Sequence, residues 1–502
     1  MASVSHESAG RQTAFDDRVG TGCAGLDDIL NGGLPSGRIY LIEGDPGSGK
    51  TTLALQFLCE GVAKGEKVLY ITLSESRADL THAAEAHGFS SEGIEIIELL
   101  PNENDLLPEQ QYTVFHPAEI ELNDRMQRIV TEFQRIRPAR MVIDALSELR
   151  MLAKDPLRYR RQILSMKDFM AEQNCTILLL DDRTSRDSDL QLHSIVHGVV
   201  SMNKVPREYG KTRRQIEIVK LRGIPYREGY HDYAIITGGV VVFPRLVAAD
   251  SRSELPPDPV SSGIPELDSL TGGGLDRGTS TLLIGPAGCG KTSLAVRWAA
   301  TAASRGESCG IFSFEEAPST MMVRAAGLGM DIRPHLASGK ISIQRVDPAE
   351  MSPGELVAAV QHLVEEQNVR MIVLDSLNGY LQSMPGEQFL AVHLHELLAY
   401  LGNRGVLTII VLAQAGGAPG TPPQSVVDVS YLADNILLLR YFEINGEVRQ
   451  AISTLKRRSG SHERTIRQLT LGPDRIHIGK PLHDFQGVLT GTPTFLGGQK
   501  EN

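Results

Sequence analysis

Cysteine is scarce in this sequence, and the few cysteines show no pairing pattern. Five occur among 502 residues, and no two of them form a C-x-x-C motif: Cys23, Cys59, Cys175, Cys289 and Cys309. This scarcity argues against a disulfide framework and against a zinc site. It is typical of a protein that is kept in a reducing cytoplasm.

Long apolar runs are missing too. The first 17 residues are polar and lack the apolar centre of a signal peptide. The longest apolar run, residues 406–413, is far shorter than the roughly 18–20 residues that cross a bilayer, so it predicts a buried strand. We therefore expect a cytoplasmic protein without a membrane partner.

Third, the sequence has no excess of positive charge. The formal net charge is −11, which repels polyanions, so nucleic acid is not an expected partner. Two short basic clusters, at residues 158–161 and 211–214, are more typical of solvated faces than of phosphate contacts. With 41% hydrophobic and 22% charged residues, the chain is long enough for two or three globular domains.

What the sequence does contain is a phosphate-binding pattern, present twice. G-x-x-x-x-G-K-T stands at residues 44–51 and again at residues 285–292, each time after an apolar, strand-like run. A strand, a glycine-rich loop and a following helix are the context of a P-loop. Its backbone N–H groups hold phosphates, its lysine reaches the β- and γ-phosphates, and its threonine hydroxyl binds Mg²⁺.

These two loops supply the candidate residues for binding ATP and Mg²⁺. The metal ligands among them are Thr51 and Thr292. The candidate nucleotide-binding residues are Gly44, Gly47, Ser48, Gly49, Lys50, Thr51, Thr52, Gly285, Gly288, Cys289, Gly290, Lys291, Thr292 and Ser293.

The two P-loops belong to a duplication. Lys50 and Lys291 are 241 residues apart, and Leu26 and Leu267 show the same offset. Both halves alternate apolar strands with helical segments, which predicts an α/β fold of two tandem P-loop domains with mainly parallel sheets. We predict a disordered N-terminus (1–14), a first domain (15–247), an exposed linker (248–259), a second domain (260–480) and a C-terminal tail (481–502).

Acidic residues follow the strands that come after each P-loop. Glu75 ends one strand-like run, and Glu315 and Glu316 end its counterpart in the second half. Later apolar strands end in Asp144 and Asp375, which is typical of a Walker B strand. Because ligands bind beyond the carboxyl ends of parallel strands, we expect these acids to converge on the phosphates.

Each half also closes with a hairpin-like strand that carries two cations. The cations are two residues apart, which places them on one face of a strand. They are Lys220 and Arg222 in the first half, and Lys456 and Arg458 in the second. Solvated charge on an edge strand is the alternative explanation for them.

Taken together, these motifs resemble the KaiC family, double-domain ATPases of the RecA superfamily, over roughly residues 15–490. The resemblance implies a two-tiered homohexamer with ATP bound between subunits. In such a ring, Lys220, Arg222, Lys456 and Arg458 would reach the γ-phosphate of a neighbour. It also implies a KaiB-like or other signalling protein as a partner. It leaves open whether the chain is a clock protein or a homologue outside the clock.

In this family, paired glutamates polarise the attacking group. The second half has both, Glu315 and Glu316, whereas the first half has Glu75 with Ser74 in the other place. Because a serine cannot accept a proton as a carboxylate does, we expect slow hydrolysis in the first domain, which would mainly bind ATP to hold the ring. A helix-capping role is the alternative for Glu75.

The resemblance further implies that the second domain phosphorylates itself. Ser430 stands at the family's serine position, Tyr431 stands where the clock members have threonine, and Ser425 matches a third hydroxyl position. Glu315 would be the base that accepts the proton of Ser430. The alternative is that Ser430 and Tyr431 only pack at an interface.

The sequence therefore predicts a hexameric ATPase with serine/threonine autokinase activity in its second domain, acting in signalling or clock-like regulation. Two alternatives remain. One is a nucleotide-switched scaffold with little turnover, which the Ser74 and Tyr431 departures favour. The other is a RecA-type DNA-handling ATPase, which the acidic balance disfavours.

Overall fold

A computed structural model divides the chain into two units. Unit 1 comprises Met1–Glu208 and Thr212–Arg245, and unit 2 comprises Tyr209–Lys211 and Leu246–Asn502. The residues that the structure describes are 17–100, 117–153, 155–183, 189–207, 209–248, 258–382, 390–414, 431–444, 446–488 and 494–495. The predicted disordered segment, residues 1–14, lies outside these ranges.

Unit 1 is built on a mixed sheet that has nine strands within the described residues, in the order β11-β10-β9-β8-β3-β7-β6-β4-β5. Its strands, with the small β1–β2 pair, are β1 (Arg18–Val19), β2 (Leu34–Pro35), β3 (Ile39–Gly44), β4 (Val68–Thr72), β5 (Ile94–Glu98), β6 (Arg140–Asp144), β7 (Thr176–Asp182), β8 (Gly198–Val205), β9 (Arg213–Leu221), β10 (Tyr230–Ile236) and β11 (Gly239–Phe243). Its helices are α1 (Ala24–Ile29), α2 (Lys50–Ala63), α3 (Arg77–Ala86), α4 (Pro117–Ile136), α5 (Leu146–Ala153), α6 (Pro156–Ala171) and α7 (Asp189–Ile195).

Unit 2 repeats this plan, with the order β14-β13-β15-β16-β12-β17-β18-β19-β20 in its described part. Its strands are β12 (Ser280–Gly285), β13 (Ser308–Ser313), β14 (Ile341–Arg345), β15 (Val369–Asp375), β16 (Leu407–Ala413), β17 (Asn435–Ile444), β18 (Glu447–Arg457), β19 (Arg467–Gly472), β20 (Arg475–Pro481), β21 (Phe485–Gln486) and β22 (Thr494–Phe495). Its helices are α8 (Pro265–Leu270), α9 (Lys291–Ser304), α10 (Pro318–Gly327), α11 (Arg333–Ala337), α12 (Pro353–Glu365), α13 (Leu377–Gln382) and α14 (Leu390–Asn403).

The strand that precedes each P-loop is buried on both faces. In β3, Tyr40 and Ile42 belong to one apolar cluster of unit 1, whereas Ile39 and Leu41 belong to another. Alternate residues of a strand point to opposite faces, so helices cover both sides of the sheet. Two largely parallel sheets covered in this way confirm the predicted α/β fold with two RecA-like domains.

The prediction that each half closes with its cation-bearing strand was wrong. In unit 1, β9 lies between β8 and β10, and β11 follows; in unit 2, β18 lies between β17 and β19, and β20 follows. Each later strand turns back antiparallel on the one before it, so the hairpin grows into a meander. The outer neighbour pairs with β9 only at residues 215–217 and with β18 only at residues 450–452, which leaves out the ends that carry the cations. The edge-strand explanation of the four cations therefore stays an alternative.

A buried arginine joins the P-loop helix of unit 1 to a central strand. Arg140, the first residue of β6, is 1% exposed. It donates hydrogen bonds to Glu66, to the Gly20 carbonyl oxygen at 2.7 Å and to the Phe57 carbonyl oxygen at 2.9 Å. Its guanidinium also lies 4.9 Å from the centre of the Phe57 ring. Losing this side chain leaves three acceptors without their donor inside the unit.

Arg140→Ala should lower the free energy of unfolding of unit 1 on the order of 3 kcal/mol, because it breaks a buried charged network. In denaturant titrations of the full chain, the far-ultraviolet ellipticity should show this loss. The single tryptophan, Trp298, lies buried in α9 of unit 2, so its fluorescence should keep its midpoint. Arg135→Ala, which removes an exposed arginine, is the control. An unchanged ellipticity transition in Arg140→Ala would contradict the role given to Arg140.

Candidate functional site

The first P-loop connects β3 to α2, and its backbone conformation depends on glycine. Gly49 has φ of 97°, a left-handed value that disfavours side chains, and it caps the first turn of α2. Lys50, the next residue, donates to the carbonyl oxygens of Gly44 at 2.9 Å and Asp45 at 3.0 Å. Ser48 is fully buried, and its backbone N–H donates to the Asp45 carbonyl oxygen at 3.1 Å.

A strand-end carboxylate faces the first P-loop. The Thr51 hydroxyl donates to Asp144 at 3.0 Å, and the Tyr70 hydroxyl donates to the same carboxylate oxygen at 2.6 Å. Burial raises the pKa of Asp144, and these two hydrogen bonds oppose the rise. The threonine hydroxyl and the aspartate thus stand together beside the lysine.

The second P-loop repeats this arrangement between β12 and α9. Gly290 has φ of 100°, and Lys291 donates to the carbonyl oxygens of Gly285 at 2.8 Å and Pro286 at 2.6 Å. The Cys289 thiol is fully buried beside Lys291, at 3.8 Å from its nitrogen. A cavity of about 380 Å³ opens at this loop, lined by Gly288, Gly290, Lys291, Thr292, Ser293, Arg324, Gly327, Leu328 and Leu471.

The acids of unit 2 lie within electrostatic reach of one another. Burial raises the pKa of Asp375 to about 6; a hydrogen bond from Thr292 and the charge of Arg324 oppose the rise, and the charges of Glu316 and Glu315 add to it. The structure thus brings together the three acids that the sequence singled out.

The paired glutamates of unit 2 have different partners. The Ser376 hydroxyl donates to Glu315 at 2.5 Å. Glu316 instead forms an ion pair with Arg324 of α10 at 2.8 Å. The Glu316 carboxylate is therefore paired with a cation, whereas the Glu315 carboxylate accepts a hydrogen bond from a neutral hydroxyl.

Unit 1 has a single glutamate at this position, and its surroundings are acidic. Glu75 is exposed at the residue level, as is Ser74. Desolvation of its carboxyl, together with the negative charges of Asp144, Asp79 and Asp182, nevertheless raises the pKa of Glu75. The repulsion from Asp144 is consistent with a position at the same edge of the sheet.

The four candidate cations lie at the end of the sheet remote from the P-loop of their own unit. Leu221, between Lys220 and Arg222, pairs with Gly198, and Gly198 pairs with Tyr40 near the start of β3. The P-loop follows the other end of β3, four residues or about 13 Å away. In unit 2, Arg457 lies between Lys456 and Arg458 and pairs with Asn435, and Asn435 pairs with Thr281 near the start of β12. These cations therefore do not adjoin the P-loop of their own unit.

The same cations have partners within their units. Lys220 donates to the carbonyl oxygens of His193 and Val196, and Arg222 to that of Ser194 at 2.8 Å. These carbonyls close the C-terminal end of α7, where positive charge is favourable. In unit 2, Lys456 donates to Ala433 at 2.7 Å, and Arg458 to Tyr431 and Asp434, both at 3.1 Å.

The candidate phosphoacceptors are only partly described. Tyr431 is exposed, and its carbonyl oxygen accepts the hydrogen bond from Arg458. Ser425 and Ser430 lie outside the described residues. The three acceptor assignments therefore stay predictions.

Four residues that contact the predicted site residues were not predicted from the sequence. Tyr70 and Ser376 each donate to a predicted acid, Arg324 pairs with Glu316, and Asp182 pairs with Lys50 at 2.7 Å. Only Asp182 carried a visible signal, since it ends an apolar strand-like run as Asp144 does. The others come from elements whose approach to the P-loop depends on the tertiary fold.

Both sites offer oxygen ligands that suit Mg²⁺. A threonine hydroxyl and a carboxylate oxygen adjoin each other at each P-loop, and Mg²⁺ prefers such hard oxygen donors. In the parts of the chain that the structure describes, no helix combines the length and the apolar character needed to cross a membrane.

Comparison with known proteins agrees with this geometry. The model of the family described as "ATPase: KaiC" matches residues 19–247 and 260–483. The circadian clock protein KaiC3 of Synechocystis sp. is 27% identical over 496 residues, covering 97% of this chain and 96% of the relative. The circadian clock oscillator proteins KaiC of Parathermosynechococcus lividus and Synechococcus elongatus are each 26% identical, covering 96% and 94% of this chain and 89% and 90% of the relatives.

Arg324→Ala should weaken the binding of ATP at the second P-loop by about tenfold, because it removes a cation from the cavity wall. The full chain with Lys50→Ala isolates this site, and titration with a fluorescent ATP analogue measures its affinity. Arg333→Ala, on α11 and outside the cavity lining, is the matched control. An unchanged affinity would mean that Arg324 serves only to hold Glu316.

Proposed function

Because this chain belongs to the KaiC family of ATPases, we propose that it is a homohexameric ATPase whose second domain also phosphorylates its own hydroxyl groups. The observation that carries the proposal is the hydrogen bond from the P-loop Thr51 to the strand-end Asp144 at 3.0 Å, beside Lys50. In the second domain, Thr292 and Asp375 take the corresponding places at the P-loop and at the end of β15. The proposed domains are residues 15–247 and 260–480, joined by a linker over residues 248–259.

Phosphoryl transfer here rests on position and charge. Lys50 and Lys291 bind the β- and γ-phosphates, and Thr51 and Thr292 hold Mg²⁺ with the help of the strand-end aspartates. When bound there, Mg²⁺ would supply positive charge against the negative charge that develops on the transferred group. The lysines and the glycine-rich loops orient the phosphates.

The partners of the two glutamates support Glu315 as the base of the second domain. An ion-paired carboxylate must separate from its arginine before it takes a proton, and Glu316 is held by Arg324. Glu315 accepts only from Ser376. A hydroxyl of Ser430, Ser425 or Tyr431 would give its proton to Glu315 while its oxygen bonds to the γ-phosphorus. The bond to the β,γ-bridging oxygen then breaks, and ADP leaves.

The first domain, in this proposal, hydrolyses ATP slowly. Glu75 alone would polarise the attacking water, since Ser74 takes the place of a second carboxylate. Its main task would be to hold the ring by binding ATP between subunits. Lys220, Arg222, Lys456 and Arg458 would reach the γ-phosphate of the neighbour, in agreement with their position remote from their own P-loops.

The names of the relatives suggest where this activity is used. Several are called circadian clock proteins, so we propose a role in signalling or clock-like regulation in the cytoplasm, with a KaiB-like or other signalling protein as partner. A nucleotide-switched scaffold with little turnover is the second candidate, and the exposed Tyr431 and the Ser74 position favour it.

Incubation with γ-labelled ATP and Mg²⁺ should label the protein on Ser430, Ser425 or Tyr431. Glu315→Gln should slow labelling by about 10²-fold or more, because it removes the base, and Glu316→Gln should slow it less. Mass spectrometry of Ser430→Ala, Ser425→Ala and Tyr431→Phe identifies the acceptor. Free phosphate without labelled protein would leave a plain ATPase, and bound ATP without turnover would favour the scaffold.

A mixing experiment should test the ring and the trans cations. One variant carries Lys50→Ala and Lys291→Ala, and the other carries alanine at Lys220, Arg222, Lys456 and Arg458. Each alone should be inactive. Mixed rings should regain ATP hydrolysis, because intact P-loops then meet intact cations of a neighbour. Light scattering reports the subunit number, and mixed hexamers without recovered activity would contradict the trans assignment.

A further inference from the structure

The ammonium groups of the two P-loop lysines differ in their polar partners. An ammonium group has three protons to donate. Lys50 donates to the carbonyl oxygens of Gly44 and Asp45, and its ammonium group forms an ion pair with the carboxylate of Asp182 at 2.7 Å. In Lys291 two of the three protons face carbonyl oxygens, and the third meets the Cys289 thiol at 3.8 Å, a weak acceptor.

The sheet itself places Asp182 beside Lys50. Asp182 ends β7 and pairs in register with Gly44, the first residue of the P-loop. In unit 2 the residue in register with Gly285 is Ala413, which has no carboxylate. The two lysines therefore have different surroundings because one matched position holds Asp182 in unit 1 and Ala413 in unit 2.

The backbone next to Asp182 is anchored while its carboxylate keeps access to water. Arg183 donates to Glu43 at 2.6 Å and to the Ser201 hydroxyl at 2.9 Å. The Asp182 side chain is 33% exposed, whereas that of Lys50 is 9% exposed. Rotation of the Asp182 side chain into water would release Lys50 without moving the strand.

Asp182 also adds negative charge where a triphosphate would lie. Its charge is among the causes that raise the pKa values of Asp144 and Glu75, so it lies within electrostatic reach of both. A phosphate that binds Lys50 must displace Asp182 from its ion pair with the ammonium group, and it meets the negative charge of Asp182 as it approaches.

We propose that Asp182 is a further residue of the first nucleotide site, and that it competes with the phosphates of ATP for Lys50. The first domain consequently binds ATP more weakly than its P-loop alone would allow, whereas the second domain, with Ala413, is free of this competition. The inference rests on the proposed function, because it takes ATP as the ligand of both P-loops.

The test measures the binding of a fluorescent ATP analogue to the full chain with Lys291→Ala, which isolates the first site. Asp182→Ala and the isosteric Asp182→Asn should each tighten binding by about tenfold, because the phosphates no longer displace a charged partner. Asp79→Ala is the matched control. It removes a neighbouring acid that also raises the pKa of Glu75 but has no contact with Lys50 among the described interactions.

The reciprocal change belongs to the same experiment. Ala413→Asp, in the full chain with Lys50→Ala, should weaken binding at the second site by a similar factor. If both Asp182 variants keep their circular dichroism and bind ATP no more tightly than the parent, the proposed competition is overturned. Binding of ATP by the parent would in that case still support the proposed function. A parent chain that binds no ATP would overturn both.

Discussion

The hydrogen bond between the P-loop Thr51 and the strand-end Asp144 is the constraint on which the first site depends. Thr51 belongs to the helix that follows β3, and Asp144 ends β6, which is separated from β3 by β7. One hydrogen bond therefore fixes the loop and helix against a strand two places away in the sheet. It forms only if the order and register of β3, β7 and β6 are correct, so the fold and the site are specified together.

Within this shared frame the two units have diverged in charge. Unit 1 pairs its lysine with the carboxylate of Asp182 and gives Asp144 a tyrosine hydroxyl as a second donor. Unit 2 has a cation, Arg324, beside its acids and lines a cavity with it. The same backbone thus presents two different electrostatic environments to a phosphate, and domain-specific behaviour needs no difference in fold.

The sequence was informative wherever a pattern was local. The P-loops, the aspartates that end β6 and β15 and the parallel sheets could all be predicted, because each depends on neighbours in the chain. The strands after β9 and β18 were missed because a hairpin gives no local sign that it will continue. The contacts of Tyr70, Arg324 and Asp182 could not be predicted. Each joins residues brought close by the register of strands that are neighbours in the sheet but distant in the sequence, or by the packing of a helix.

The matched register of the two sheets has a consequence for the history of the chain. Gly44 with Asp182, and Gly285 with Ala413, occupy equivalent positions in two copies that descend from one ancestor. Both copies are made in the same molecule and in equal number, and they have experienced the same temperature, solvent and expression level in every generation. Differences between them at equivalent positions therefore arose within one gene, and a difference in habitat cannot account for them.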